Sequence, residues 1–272
     1  MEPAIEFINV SKSFPLYHHV TGGIKNFLFD IKKNITAISK ARFEALMDIS
    51  FSVWQGETFG IIGANGAGKS TTLGLIVGVL KPSGGTIRVK GSVSSLLELG
   101  AGFHQELTGR ENILLNGILM GLTKREVLGK MDEIIEFSGL GDFISQPIRV
   151  YSSGMLSRLG FSVIAHLDPE ILLIDEILAV GDAEFRKKCM DKMMKFKENG
   201  VTIVIVSHSA EDVLNVCNRA MWIDNHRVRM IGMPAEVLSE YLGKPVQNSD
   251  LKQIAAVTEY HGEPARSVER HG

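Results

Sequence analysis

The chain has 272 residues, 44% of them apolar and 22% charged, and its 29 Lys and Arg nearly balance its 31 Asp and Glu. This balance gives no reason to expect a nucleic-acid partner, because phosphate backbones are bound by basic surfaces. The two cysteines, Cys189 and Cys217, are far apart and lack metal-ligand spacing, which argues against a disulfide framework or a zinc site. A chain of this length buries about 70 to 75% of its unfolded surface and needs no such staple.

The apolar stretches are short. The longest, such as residues 113–122, fall below the roughly 18 residues that a membrane-spanning helix needs, and Asn116 interrupts that one. The N-terminus has no basic start, long apolar region or small-residue cleavage site. We therefore expect a chain that does not cross a membrane unaided, with the cytosol as its default compartment.

Strands and helices alternate along the chain. Residues 4–10 and 45–53 alternate apolar and polar side chains, which predicts half-buried strands, and the continuous apolar run 58–62 predicts a strand buried on both faces. Further apolar runs at 171–174 and 201–206 each follow a helix-like stretch. This succession is typical of an α/β fold with parallel strands.

Helix starts are marked by two capping boxes, Thr108 with Glu111 and Thr123 with Glu126. In each pair, each side chain is expected to accept a hydrogen bond from the free backbone N–H of the other residue.

The last part of the chain predicts a hairpin, a helix and a tail. Residues 220–224 and 227–231 flank a two-residue connection, and Pro234 precedes a helix predicted at 235–242. Residues 244–272 are polar and predict a partly disordered tail. This tail is too short for a second folded domain without staples.

Residues 15–43 are long for a connection inside a compact domain. Their apolar residues fall at helical spacing, and they carry five basic side chains against one acidic. A basic amphipathic helix could lie against a membrane surface or a membrane-embedded partner. The alternative, an extra helix packed on its own domain, stays open.

Residues 63–70 read Gly-Ala-Asn-Gly-Ala-Gly-Lys-Ser, the P-loop pattern, between the predicted strand 58–62 and a helix predicted at 70–79. Glycines let backbone N–H groups curl around phosphate oxygens, and the helix N-terminus adds partial positive charge. Lys69 is expected to neutralise the β- and γ-phosphates, and the Ser70 hydroxyl to ligate Mg²⁺. The residues predicted to hold the nucleotide phosphates are Gly63, Asn65, Gly66, Ala67, Gly68, Lys69, Ser70 and Thr71.

Three polar side chains follow the two later apolar runs. Asp175 and Glu176 end the first, and we expect Asp175 to hold Mg²⁺, directly or through water, and Glu176 to orient and polarise the attacking water. His208 follows the second run, where it would reach the γ-phosphate. The predicted catalytic residues are thus Lys69, Glu176 and His208.

In this order, these residues resemble the nucleotide-binding domain of ABC transporters over about residues 1–243. The decisive element is Tyr-Ser-Ser-Gly-Met at 151–155, here named the signature segment, where the family carries Leu-Ser-Gly-Gly-Gln. The resemblance implies an ABC-type P-loop NTPase with a mostly parallel core sheet, an antiparallel β subdomain and a helical subdomain at about residues 105–167. It also implies that two such domains bind head to tail, with ATP between one P-loop and the other signature.

Other site residues come from the same resemblance. Ser152, Ser153 and Gly154 would face the γ-phosphate from the start of a helix running to His166. Phe14 matches the aromatic that stacks on adenine; the alternative is a core Phe at a strand end.

One further position matches the family pattern and one departs from it. Asp182 matches the contact in a loop that signals across the dimer. Where the family carries a glutamine that contacts Mg²⁺ and water, this chain offers Glu98 as the nearest polar residue.

Segments 99–104, 151–162 and 175–182 resemble the subfamily that exports cell-surface polysaccharides. The likeness is strongest to O-antigen exporters, with capsule and teichoic acid as alternatives. It implies a homodimer at the cytoplasmic face of the cytoplasmic membrane, with two copies of a separate membrane-spanning permease and a lipid-linked polysaccharide as substrate. Some O-antigen ATPases carry a C-terminal carbohydrate-binding domain that recognises a finished chain end. The tail here leaves no room for such a domain, so we expect that this subunit does not recognise a terminal modification of the polymer.

Two other function classes compete with transport. A soluble, ribosome- or nucleic-acid-associated ABC ATPase would usually fuse two cassettes or carry a coiled coil, and the sequence has neither. A degenerate nucleotide-binding regulator would lack catalytic residues that are present here.

Overall fold

A computed structural model describes residues 2–15, 42–95, 102–175, 182–207 and 209–245. Most of the predicted insertion and nearly all of the predicted tail lie outside these ranges. In chain order the elements are β1 (Pro3–Pro15), β2 (Arg42–Trp54), β3 (Thr58–Ile62), α1 (Lys69–Val77), β4 (Gly84–Val89), β5 (Val93–Ser95), α2 (Gly109–Leu119), α3 (Lys124–Ser138), α4 (Ser153–Ala165), β6 (Ile171–Asp175), α5 (Ala183–Glu198), β7 (Thr202–Val206), α6 (Ala210–Val216), β8 (Arg219–Asp224), β9 (Arg227–Gly232) and α7 (Pro234–Leu242). Two short 3-10 helices, Gly141–Ser145 and Ile148–Val150, precede α4.

The core sheet has the strand order β5-β6-β7-β3-β8-β9. Its first five strands are parallel, and β9 returns antiparallel to β8. All residues of β3 and β7 are buried, as their continuous apolar runs predict for strands covered on both faces. The parallel core predicted from the sequence is confirmed.

A second sheet of three antiparallel strands has the order β2-β1-β4. Strand β1 extends beyond the predicted residues 4–10, to Pro15. Its pairing with β2 shifts register several times, and Asn9 and Asp48 near these shifts take left-handed backbone angles. Beyond the shifts, Phe14 and Phe43 face each other across the two strands.

Three apolar clusters hold the elements together. Because side chains alternate along a strand, Ile61 packs towards the antiparallel sheet and α1, while Ile62 packs towards α4, α5, α6 and α7. A third cluster, including Ile113, Ile134 and Leu159, joins α2, α3 and α4. The P-loop therefore leaves a strand that is fixed on both sides.

The predicted helix starts are present. Thr108 and Thr123 both form reciprocal capping boxes, with Glu111 and Glu126, and α7 begins at Pro234. Helix α1 ends at Val77 rather than 79, because Gly78 takes a left-handed conformation that closes the helix. Within the described ranges, no helix combines the length and apolarity that crossing a bilayer requires.

Candidate nucleotide-binding site

The P-loop joins the end of β3 to the start of α1, and two of its glycines are dictated by their surroundings. Gly63 and Gly68 have φ angles of 151° and 113°. A Cβ at Gly63 would collide with the carbonyl oxygen of Ile223, and one at Gly68 would lie 2.6 Å from the carbonyl oxygen of Ala45. Gly66, at φ 81°, has open space around it, so only its backbone angle calls for glycine.

Lys69 begins α1, and its side chain is buried, with 6% of the residue exposed. Its Nζ donates hydrogen bonds to the carbonyl oxygens of Gly63 at 2.9 Å and Ala64 at 3.1 Å. The loop thus wraps around an ammonium group, a point charge suited to phosphate oxygens.

Ser70 and Asp175 come together from α1 and the end of β6. The Ser70 Oγ donates to Asp175 Oδ2 at 3.4 Å. A hydroxyl and a carboxylate oxygen are ligands that Mg²⁺ prefers, and their separation is less than twice the 2.0–2.1 Å bond that the ion takes, so one ion can contact both. The two residues fit the predicted metal site.

A cavity of about 230 Å³ opens over the P-loop. It brings together most of the predicted phosphate-binding residues, while Ala67 packs into the core beneath them. The described residues that line the cavity are Phe43, Ala45, Asn65, Gly66, Gly68, Lys69, Ser70 and Thr71.

The predicted adenine contact, Phe14, is not among those lining residues. It is half-buried, and the Lys12 ammonium lies 4.8 Å from its ring centroid. Phe43, opposite Phe14 in the strand pairing, lines the cavity instead. Sequence reasoning missed Phe43; the available signal was its position two residues before Ala45, on the same face of a strand.

The signature segment forms the start of α4. Ser152 caps the helix, its Oγ accepting from the Met155 N–H at 3.2 Å, and Ser153 and Gly154 form the exposed to half-exposed first turn. Tyr151 anchors the segment by donating its hydroxyl to the Phe143 carbonyl at 2.6 Å, and burial raises the pKa of that hydroxyl. The arrangement presents a capped helix N-terminus, which suits an anion.

Glu98, Glu176 and His208 lie outside the described residues. The strands that lead to the last two are described: β6 and β7 are neighbours, with Asp175 paired to Val206, and β7 is hydrogen-bonded to β3. Strands β6 and β7 therefore end at the same edge of the sheet as β3, where the P-loop begins.

Comparison with known proteins decides the family. A profile described as ABC transporter matches residues 46–179. The "O-antigen export system ATP-binding protein RfbB" of Klebsiella pneumoniae is 54% identical over 241 residues, covering 89% of this chain and 98% of that protein. The chain belongs to the ABC transporter ATP-binding proteins.

Other relatives of this ABC ATPase include the "Teichoic acids export ATP-binding protein TagH" of Bacillus anthracis, 43% identical over 89% of this chain and 43% of that protein. A solved ATP-binding subunit of an ABC transporter matches with a TM-score of 0.70 at 22% identity, covering 93% of this chain and 99% of the other. A dimeric ATP-binding cassette with ADP and Pi, in a post-hydrolysis state, matches with a TM-score of 0.68 at 19% identity. The match covers 85% of this chain and 98% of the other. These structures confirm the predicted ABC ATPase fold.

One contact of this ABC ATPase was not foreseen. Arg158 of α4 pairs with Asp182 at 2.5 Å, and the other Asp182 oxygen accepts from the Phe185 N–H at 2.9 Å. That N–H, and then the Arg158 charge, lower the pKa of Asp182. Asp182, which was predicted to make a contact across a dimer, thus links α4 to the start of α5 within one chain.

Proposed function

We propose that the protein is the ATP-hydrolysing subunit of an exporter of lipid-linked cell-surface polysaccharide, with O-antigen as the first candidate. The observation that carries this proposal is the phosphate site built around Lys69, in a chain 54% identical to an O-antigen export protein over nearly that protein's whole length. Residues 1–243 would form one cassette, and residues 15–43 would lie near the membrane partner.

The predicted site residues would divide the work of hydrolysis. The P-loop and Lys69 hold the β- and γ-phosphates, and Glu176 orients a water and accepts its proton. The water oxygen bonds the γ-phosphorus as the bond to the ADP oxygen breaks, which gives ADP and inorganic phosphate. His208 would contact the γ-phosphate, and Ser70 and Asp175 would hold Mg²⁺, with Glu98 as a further predicted ligand. The ion supplies charge neutralisation at the phosphate oxygens.

The active unit is a homodimer in which Ser152, Ser153 and Gly154 of one copy face the ATP on the P-loop of the other. In support, a Cβ on Gly154 would meet its nearest described atom, Ser152 Oγ, only at 3.9 Å, so the packing around it does not require glycine. Among the described residues nothing closer fills this space, which leaves room for a ligand or a second copy at the start of α4.

The dimer would work with two copies of a separate permease at the cytoplasmic face of the cytoplasmic membrane. Closure around ATP would drive the permease, and hydrolysis would reset the cycle. Related proteins named for teichoic acid export, 43% identical to this chain, make that polymer the second candidate, and capsule the third.

Deletion of the gene, with complementation by wild type or K69A, tests the proposal. We expect a lipid-linked polymer to accumulate in the cytoplasm of the deletion strain, and only the wild type to restore it to the surface. Chemical analysis of that polymer decides between O-antigen, capsule and teichoic acid. Unchanged surface polymer in the deletion strain would favour a non-transport ATPase, as would finding the wild-type protein on ribosomes and not on membranes.

A further inference from the structure

The two serines on either side of position 208 are joined by a hydrogen bond. Ser207 follows β7 and is buried, with 7% of the residue exposed, and Ser209 is the N-cap of α6. The Ser207 Oγ accepts from the Ser209 N–H at 3.0 Å. A serine side chain that bonds the backbone two residues further on stabilises a local turn. This bond therefore fixes the end of β7 relative to the start of α6.

Asp212, in the first turn of α6, bonds to both serines. Its Oδ2 accepts from the Ser207 hydroxyl at 3.5 Å, and its backbone N–H donates to the Ser209 Oγ at 3.2 Å. The Ser207 hydroxyl thus donates to the carboxylate, while its oxygen accepts from the Ser209 N–H. Hydrogen bonds that form a connected network rigidify the groups that take part in it. The network therefore holds the chain on both sides of position 208.

The first turn of α6 is packed against the strand that leads to the P-loop. Val213 is fully buried, and a Cβ on Gly60 of β3 would lie 3.2 Å from its Cγ1. Asp212 is half-buried, and this burial raises the pKa of its carboxyl, although its bonds with the two serines and the nearby charge of Arg186 act in the opposite direction. A carboxylate that is partly removed from water keeps its hydrogen-bond partners, because losing them would cost free energy. The network is therefore fixed relative to β3.

The position that this network flanks belongs to the predicted phosphate site, since β7 is the neighbour of β3 and ends at the same edge of the sheet. We infer that Asp212 is a positioning residue for His208: by holding the two flanking serines, it fixes the direction in which the imidazole reaches the γ-phosphate. This rests on the proposed function, because it requires ATP hydrolysis at the P-loop and a phosphate contact by His208. In this role Asp212 acts through the serines and needs no contact with the nucleotide.

Single-turnover hydrolysis by the full chain, in excess over ATP, tests the inference, with ATP affinity measured separately by equilibrium titration. We expect D212A to lower the hydrolysis rate about 10- to 100-fold, because a misplacement of about 1 Å can cost 100-fold. Its ATP affinity should stay within about 2-fold of wild type, since the phosphate contacts of the P-loop are unchanged. D212N should recover most of the rate, because its amide oxygen still accepts from the Ser207 hydroxyl.

Two further variants separate positioning from a general loss of stability. S207A, which breaks the network without changing α6, should be about as slow as D212A. In an H208A background, D212A should slow hydrolysis by less than about 2-fold, because the residue that it positions is gone.

The matched control is E126A, which removes a carboxylate from the first turn of α3, where it accepts from the Thr123 N–H and hydroxyl at 2.7 Å. E126A should lower stability in urea about as much as D212A and leave hydrolysis unchanged. The inference is overturned if D212A or S207A hydrolyses ATP at the wild-type rate, if D212N is as slow as D212A, or if D212A has equal effects with and without His208. A wild-type protein that binds no ATP overturns the proposed function as well, so the two failures are distinguishable.

Discussion

The P-loop and the first turn of α4 both offer glycine-containing backbone at a helix N-terminus, yet the packing around them differs. At Gly68 an added Cβ would lie 2.5 Å from the Leu46 side chain and 2.6 Å from the Ala45 carbonyl oxygen. At Gly154 it would meet nothing described closer than 3.9 Å, in ordinary helical backbone. The P-loop is thus shaped by its own chain, whereas the start of α4 leaves space that the described residues do not fill.

This difference separates two roles for glycine. A glycine that packing demands is informative about folding, and its loss affects the monomer. Gly154 is demanded neither by the described packing nor by a positive φ, so its substitution tests assembly and ligand contact rather than folding. The contrast can be tested by substitutions that act on hydrolysis, on folding and on assembly in turn.

The largest effect is expected from E176Q, which changes neither region but removes the group proposed to polarise water. Turnover should fall about 100- to 10,000-fold, the usual contribution of a general base, while ATP binding persists. An ATP-dependent dimer should then accumulate, measurable by sedimentation or light scattering. Wild-type rates of phosphate release would refute the role of Glu176.

G68A should damage the P-loop through the fold itself. Alanine at φ 113° is strained, and its Cβ would contact the Ala45 carbonyl, so we expect a loss of about 3 kcal/mol or more in the free energy of unfolding. Urea denaturation measures it. G66A is the matched control, because its site has the positive φ of 81° without the close contact, so its loss should be smaller.

G154A should show the opposite pattern. Alanine favours a helix over glycine by up to about 1 kcal/mol, so the monomer should be as stable as wild type or slightly more stable. The added methyl would still displace a phosphate approaching from the partner, and we expect ATPase turnover to fall about 10- to 100-fold. In the E176Q background G154A should abolish the ATP-dependent dimer. Unchanged turnover and dimerisation would show that α4 does not face nucleotide.

Sequence spacing predicts local geometry where the interacting residues are close together in the chain. Gly63 to Thr71 and the capping boxes of Thr108 and Thr123 lie within a few residues of their partners, so spacing alone predicts them. Phe43 was missed because it reaches the P-loop through strand pairing and a turn near residue 226. Arg158 and Asp182 are likewise 24 residues apart and meet only after α4 and α5 pack.

The smallest expected effect is on the labelling of the two cysteines, one near the P-loop strand and one near α4. Cys217 packs against β3, where a Cβ on Gly60 would lie 3.0 Å from its sulfur. Cys189 lies in α5, and the positive charge of Arg158 of α4 acts to lower its pKa. Burial raises the pKa of each thiol to about 12, so little of either is thiolate at pH 8. Labelling by a thiol reagent should therefore be far slower in the native protein than in urea.

ATP should slow this labelling further, and unequally in the two thiols. A ligand held by the P-loop of one chain stabilises the region around β3 even without a dimer, so Cys217 in a C189A variant should label several-fold more slowly with ATP. Cys189 in a C217A variant should respond less at protein concentrations where the chain is monomeric, and more once E176Q allows the dimer to close. Equal protection of both thiols in the monomer would mean that the two regions open together, and that the P-loop and α4 respond to nucleotide as one unit.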